Sequence, residues 1–192
     1  YLQGCEHNMP KAYDELPRNP ANFVALSPLR YLERAAYTYP QDAAIIHGTR
    51  RISWQQTYAR CRQFAHQLQA LGIQKNDTVS TLLPNVPAMV EAHFAVPMSG
   101  AVLNTLNTRL DAKTIAFMLE HAETRVLLVD PEFYPLAKDA LTLLKQPITV
   151  IDVADPEWIE STECIGQIEY EDWLAQGDPN FAWDLPDDEW NA

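Results

Sequence analysis

The chain has 192 residues, 47% of them hydrophobic and 21% charged, which is enough apolar mass for a buried core in an ordinary globular balance. Its net charge of -12 argues against sequence-independent nucleic-acid binding, which needs a basic surface. No apolar run approaches the roughly 20 residues that cross a bilayer, and no signal-peptide pattern is visible, so a cytoplasmic protein is expected.

Cys5, Cys61 and Cys164 are odd in number and far apart, which fits neither a disulfide framework nor a zinc site. Reduced thiols are expected, with Cys61 on a buried helix face. The charge is unevenly placed. Thirteen acids and no Lys or Arg follow Lys145, whereas the residues up to Lys145 are close to neutral. A solvated, loosely structured linker is the preferred reading of that acidic stretch, over a tail that binds a basic partner.

Residues 1–26 are proline-rich and aperiodic, and an extended arm is expected there. Ser27-Pro28 has the form of an N-cap followed by proline in the first turn, where its missing N–H costs nothing. Leu29, Leu32, Ala35 and Ala36 then share a helical face, which Tyr39-Pro40 ends. Two β-prone runs, 43–47 and 50–54, flank Gly48-Thr49 and predict a hairpin. His47 beside that turn reads as an exposed or packing histidine rather than a ligand contact. Ser53-Trp-Gln-Gln56 has the form of a capping box. Trp54, Tyr58, Cys61, Phe64, Leu68 and Leu71 follow at helical spacing, with Gly72 as the stop. Arg60, Arg62, Gln63, Gln67 and Gln69 fall on the opposite, polar side.

The stretch from Asp77 to Leu110 organises the chain as strand, helix and strand. Val79–Leu83 is strand-length, Asn85 is the expected cap of a helix with Pro87 in its first turn, and Pro97 is expected to distort or shorten that helix. His93 on it reads as structural. Ala101–Leu103 is the second strand. The pattern repeats: Asp111 caps a helix with Ile115, Met118 and Leu119 on one face. Arg125–Asp130 is a strand, Pro131 opens a helix, and 148–152 is a further strand. Near-continuous apolar strands alternating with helices predict an α/β fold, a parallel sheet flanked by helices on both faces. Ligands gather at the carboxyl ends of such strands. Asp130 and Asp152 lie there, where a helix cap is the simpler role for each. Within 153–192, residues 168–174 are expected as a short amphipathic turn or helix, docked by its large aromatics.

No complete catalytic constellation is present. There is no G-x-S-x-G, G-x-x-x-x-G-K-[ST], H-E-x-x-H or G-x-G-x-x-G, and the six glycines never cluster. The best candidate is the polar run Asn104, Thr105, Asn107, Thr108 and Arg109, expected as a loop beside the active site. Its guanidinium suits anions. The preferred alternative is that its Asn and Thr side chains bond the loop backbone while Arg109 pairs with a nearby acid. No catalytic, cofactor-binding or metal residue is assigned.

The order of features resembles the amino-terminal part of the AMP-forming acyl-CoA synthetases, within the adenylate-forming superfamily. The residues that carry the resemblance are Leu26–Ala36, Ala44–His47, Ile52-Ser-Trp-Gln-Gln-Thr-Tyr58, Leu83–Phe94, Gly100–Leu110 and Leu127-Leu-Val-Asp130. It runs from about Ala21 to the end and looks most like short- and medium-chain acyl-CoA ligases. It implies an α/β subdomain over 27–152, the first part of a large amino-terminal domain. Residues 153–192 would be an acidic connection leading to an ATP-binding loop beyond Ala192. It implies ATP, Mg and CoA as cofactors of the full-length enzyme, with a small carboxylate as substrate. The ATP loop, hinge and catalytic lysine would all lie further on, so a chain that begins at Tyr1 and ends at Ala192 is expected to be an inactive fragment. A free-standing, non-catalytic α/β binding or interaction domain is the alternative. Oligomeric state is not legible.

Overall fold

A computed structural model of the protein describes residues 17, 19, 21, 23, 26–155, 157 and 164–185. Most of the expected arm, Cys5, Trp158, Trp190 and residues 186–192 lie outside them.

Helix α1 (Pro28–Thr38) starts as its sequence dictates, with Ser27 Oγ accepting from Leu29 N at 3.3 Å. The hairpin pairs β1 (Ala43–His47) with β2 (Arg50–Ser53) in antiparallel register. Helix α2 (Trp54–Ala70) opens with the full capping box. Ser53 Oγ accepts from Gln56 N, and Gln56 Oε1 accepts from Ser53 N. Gly72 follows at φ +81, a left-handed conformation that only glycine adopts cheaply.

Five parallel strands form the sheet. Their spatial order is β4 (Val102–Thr105), β3 (Thr78–Leu82), β5 (Thr124–Val129), β6 (Thr149–Asp152) and β7 (Ile168–Glu169). Strand alternation sorts side chains between two cores. Val79, Val126, Leu128 and Ile151 pack with Leu32, Phe64, Leu68 and Ala92 from α1, α2 and α3 (Pro87–Met98). Leu82, Leu127, Val129 and Val150 pack with Ile115, Leu119, Ala137 and Ala140 from α4 (Ala112–His121) and α5 (Tyr134–Leu141). Both faces are covered, which is why β5 and β6 read as near-continuous apolar runs.

Several local expectations change. Val86, not Asn85, is the N-cap of α3, and no side-chain bond caps it. Val86 is buried in the core while Asn85 is exposed, so packing outweighs capping chemistry at that position. Pro97 does not shorten α3. It sits in the last turn, which closes through Ser99 N to Ala95 O and Gly100 N to Pro97 O. The second strand lies one residue late and runs longer, because Asn104 and Thr105 pair with Ser80 and Thr81. Pro131 opens a short 3-10 turn, Pro131–Phe133, and α5 follows it.

The acidic stretch departs in part. The short helix expected over 168–174 forms as α6 (Tyr170–Ala175), docked by its aromatics against α2, but residues 164–185 are not a loose linker, since strand β7 pairs with β6. Tyr170, Trp173 and Leu174 are buried. This also revises the polar side of α2, where Gln67 is buried and the Arg60 side chain is only 20% exposed. A helix has a solvent face only until something covers it, and α6 does.

Candidate functional site at the carboxyl end of the sheet

Three strands end beside one another. The chain leaves β3 through Pro84-Asn85, β5 through Asp130, and β6 through Val153 to Asp155. The β1–β2 hairpin leans over these ends. His47 Nε2 lies 2.6 Å from Asp155 Oδ2, and Thr49 Oγ1 donates to Glu157 Oε1. Between hairpin and sheet is a cleft of about 340 Å³, lined by His47, Pro84, Asn85, Asp130, Asp155 and Glu157 among others. His47 is therefore neither free nor a lone packing residue; it fastens the hairpin to the sheet end.

Each carboxylate here has a structural bond. Asp155 Oδ1 accepts from Glu157 N at 3.0 Å, and Asp130 Oδ1 accepts from Glu132 N at 2.9 Å at the start of the 3-10 turn. Asp130 thus caps, as expected. Burial pushes its carboxyl above the usual range, and the nearby Glu132 and Asp155 carboxylates push it further, against the opposing Glu132 N–H bond. Asp152 caps no helix. It catches the returning chain instead, accepting from Gly166 N at 2.9 Å and from Ile165 N at 3.4 Å. The Tyr134 phenol is raised by its burial and by the Asp152 carboxylate beside it.

The chemistry of this cleft is acidic. Asp130, Glu132, Asp155 and Glu157 face one imidazole, so a phosphate would be repelled. Among the described residues no three His, Cys, Asp or Glu are grouped to hold a metal ion. The residues lining this cleft do not fit the phosphates of ATP or CoA, and no catalytic step is derived through them.

The polar run divides. Asn104 and Thr105 end β4 rather than lie in a loop. Asn104 Nδ2 donates to Ser80 Oγ at 3.0 Å, and Ser80 Oγ lies 2.7 Å from Thr124 Oγ1, a polar ladder across three strands. Asn107 Oδ1 accepts from Arg109 N at 3.0 Å, so the turn is tied by its own side chain. Leu106 is buried, and Asn107 and Arg109 are exposed. No described acid pairs with Arg109.

A second polar cluster, with little local mark in the sequence, lies between α2, α3 and α6. Glu91 on α3 is fully buried. Arg60 Nε donates to its Oε1 at 2.5 Å, and Tyr170 Oη donates to its Oε2 at 2.6 Å. Arg60 also reaches Glu171 through two nitrogens at 2.8 Å each. Burial alone would lower the guanidinium's pKa, but the bonds to Glu171 and Glu91 outweigh it and hold it above its ordinary value. Cys61, on the next position of α2, is buried as expected, and burial raises its thiol. The only sequence hint to this cluster was a glutamate among apolar residues on a buried helix.

The family model for AMP-binding enzymes matches residues 32–188. This chain belongs to the AMP-binding enzyme family. Among curated members, it is 48% identical over 190 residues to an acetate–CoA ligase of Humulus lupulus, covering 93% of this chain and 34% of the relative. It is 46% identical over 190 residues to a peroxisomal acetate/butyrate–CoA ligase of Arabidopsis thaliana, covering 93% and 33%. The chain therefore spans about a third of the length of these AMP-binding relatives. Its fold is that of an anthranilate CoA ligase crystallised with anthranoyl-AMP, at TM-score 0.78 and 21% identity, over 94% of this chain and 32% of that one. A parallel sheet flanked by helices, as expected, is thus part of this family's architecture.

Proposed function

We propose that this chain is part of an ATP-dependent acyl-CoA ligase, which joins a carboxylate to CoA and releases AMP and pyrophosphate. The observation that carries this reading is the family match over 32–188, together with 46–48% identity to ligases of small acids. In this reading the chain supplies framework. ATP, Mg and CoA are held by other parts of the whole protein, because the sheet-end cleft is acidic. Acetate and butyrate, which the two relatives' names give, are the carboxylates to try first.

The experiment is pyrophosphate release by the whole protein, with ATP, Mg, CoA and each acid in turn, alongside the 192-residue chain. Carboxylate-dependent release is expected from the whole protein alone. Release by the 192-residue chain would place the chemistry inside these residues and sink the assignment. The sequence favours a cytosolic enzyme, whereas one of these relatives is named as peroxisomal; imaging the tagged whole protein separates the two.

A further inference from the structure

The polar side of α2 is covered by a segment that runs against it. Trp183 Nε1 donates to Tyr58 Oη at 3.0 Å, and Arg62 Nε donates to Phe181 O at 2.9 Å. Gln63 Nε2 donates to Gly177 O at 3.3 Å, and Asp178 N donates to His66 Nδ1 at 3.4 Å. As α2 advances from 58 to 66, its partners retreat from 183 to about 177. The approach at Gly177 is too close for any side chain, since a Cβ there would lie 2.5 Å from Gln63 O. At the other end Phe64 meets Tyr170 and Trp173 edge to face, at 5.5 and 5.4 Å.

The segment's main-chain tie to the sheet is slight. Strand β7 has two residues, paired only to Ile151 and Asp152. What holds residues 170–183 is their side-chain contact with α2. The segment is acidic and has no Lys or Arg of its own. Its cations come mainly from α2, through Arg60 to Glu171 and Arg62 to Phe181 O, with Arg50 of β2 at 3.9 Å from Glu171. Arg60 is shared. When the segment leaves, Arg60 keeps Glu91 and water replaces Tyr170, so no buried charge is left without a partner. Strands β3 and β5, by contrast, are buried on both faces.

We propose that residues 170–183 are a releasable strap, locked on α2 by Arg60 and Arg62, that opens as a unit before the sheet does. The strap also walls a cleft of about 700 Å³ over α1 and α2, through residues 179–183, so its opening widens that cleft. One acid of the strap, Glu171, thus meets the arginine-bearing face of α2 directly.

Hydrogen exchange of the 192-residue chain, read by mass spectrometry, tests it. Amides of 173–177 should exchange at least about tenfold faster than those of β3 and β5, as expected for a local opening unit. Glu171→Gln and Arg62→Gln should each speed the strap further while the β3 and β5 amides keep their rates. One common rate for strap and sheet in the unsubstituted chain overturns the proposal. So does a strap rate that neither substitution changes, or a parallel acceleration of strap and sheet by both.

Discussion

Glu91 has no access to solvent, yet it carries the ionisable group on which three helices converge. Its position is tolerable because Arg60 and Tyr170 satisfy both oxygens. Removing the cation leaves an uncompensated buried carboxylate. Arg60→Met is therefore expected to lower the unfolding free energy by about 3–5 kcal/mol, the usual penalty for breaking a buried pair. Urea unfolding measures it, and a loss below about 1 kcal/mol would mean that the pair behaves like a surface one. Asp130 poses the opposite problem. Its carboxyl is raised in the folded chain by burial and then by neighbouring acids. A carboxyl raised on folding destabilises the native state above its folded pKa, and that cost fades as pH falls through the raised value. Asp130→Asn keeps an oxygen for Glu132 N and removes the charge. It should raise the urea midpoint at pH 7, and the gain should shrink steadily toward pH 3. A gain independent of pH would locate its origin outside the charge.

At the scale of elements, local signals win where nothing competes. The Ser53 capping box and the Asp111 cap form as written, because each bond spans three residues. Val86 shows the competing case, where a core side chain occupies the cap position and the helix starts without one. Strand β4 shows another. The polarity of Asn104 and Thr105 predicts a loop at its end, but backbone pairing to β3 ignores side-chain polarity. Among the described residues β4 has no partner on its outer side, so it is an open edge. Thr105→Lys, at an exposed edge position, should raise the concentration at which the 192-residue chain begins to associate, by light scattering. An unchanged threshold would rule out this edge as the associating surface.

Over the whole molecule, the charge map and the fold map coincide differently from what composition implies. The acid-rich composition after Lys145 suggests a solvated linker with one docked turn, yet residues 164–185 add a strand to the sheet and cover α2. The sequence by itself determined the main helices, the caps at Ser27, Ser53, Asp111 and Asp130, the hairpin and a parallel sheet buried on both faces. Those depend on periodicity and on bonds a few residues long, which any short window contains. Only the tertiary structure decided the strand order, the addition of β7, the tie between His47 and Asp155 across 108 residues, and that between Tyr170 and Glu91 across 79. Such pairings depend on which surfaces meet once the chain has closed. A polar residue carries no local mark of whether it will meet water or a buried partner.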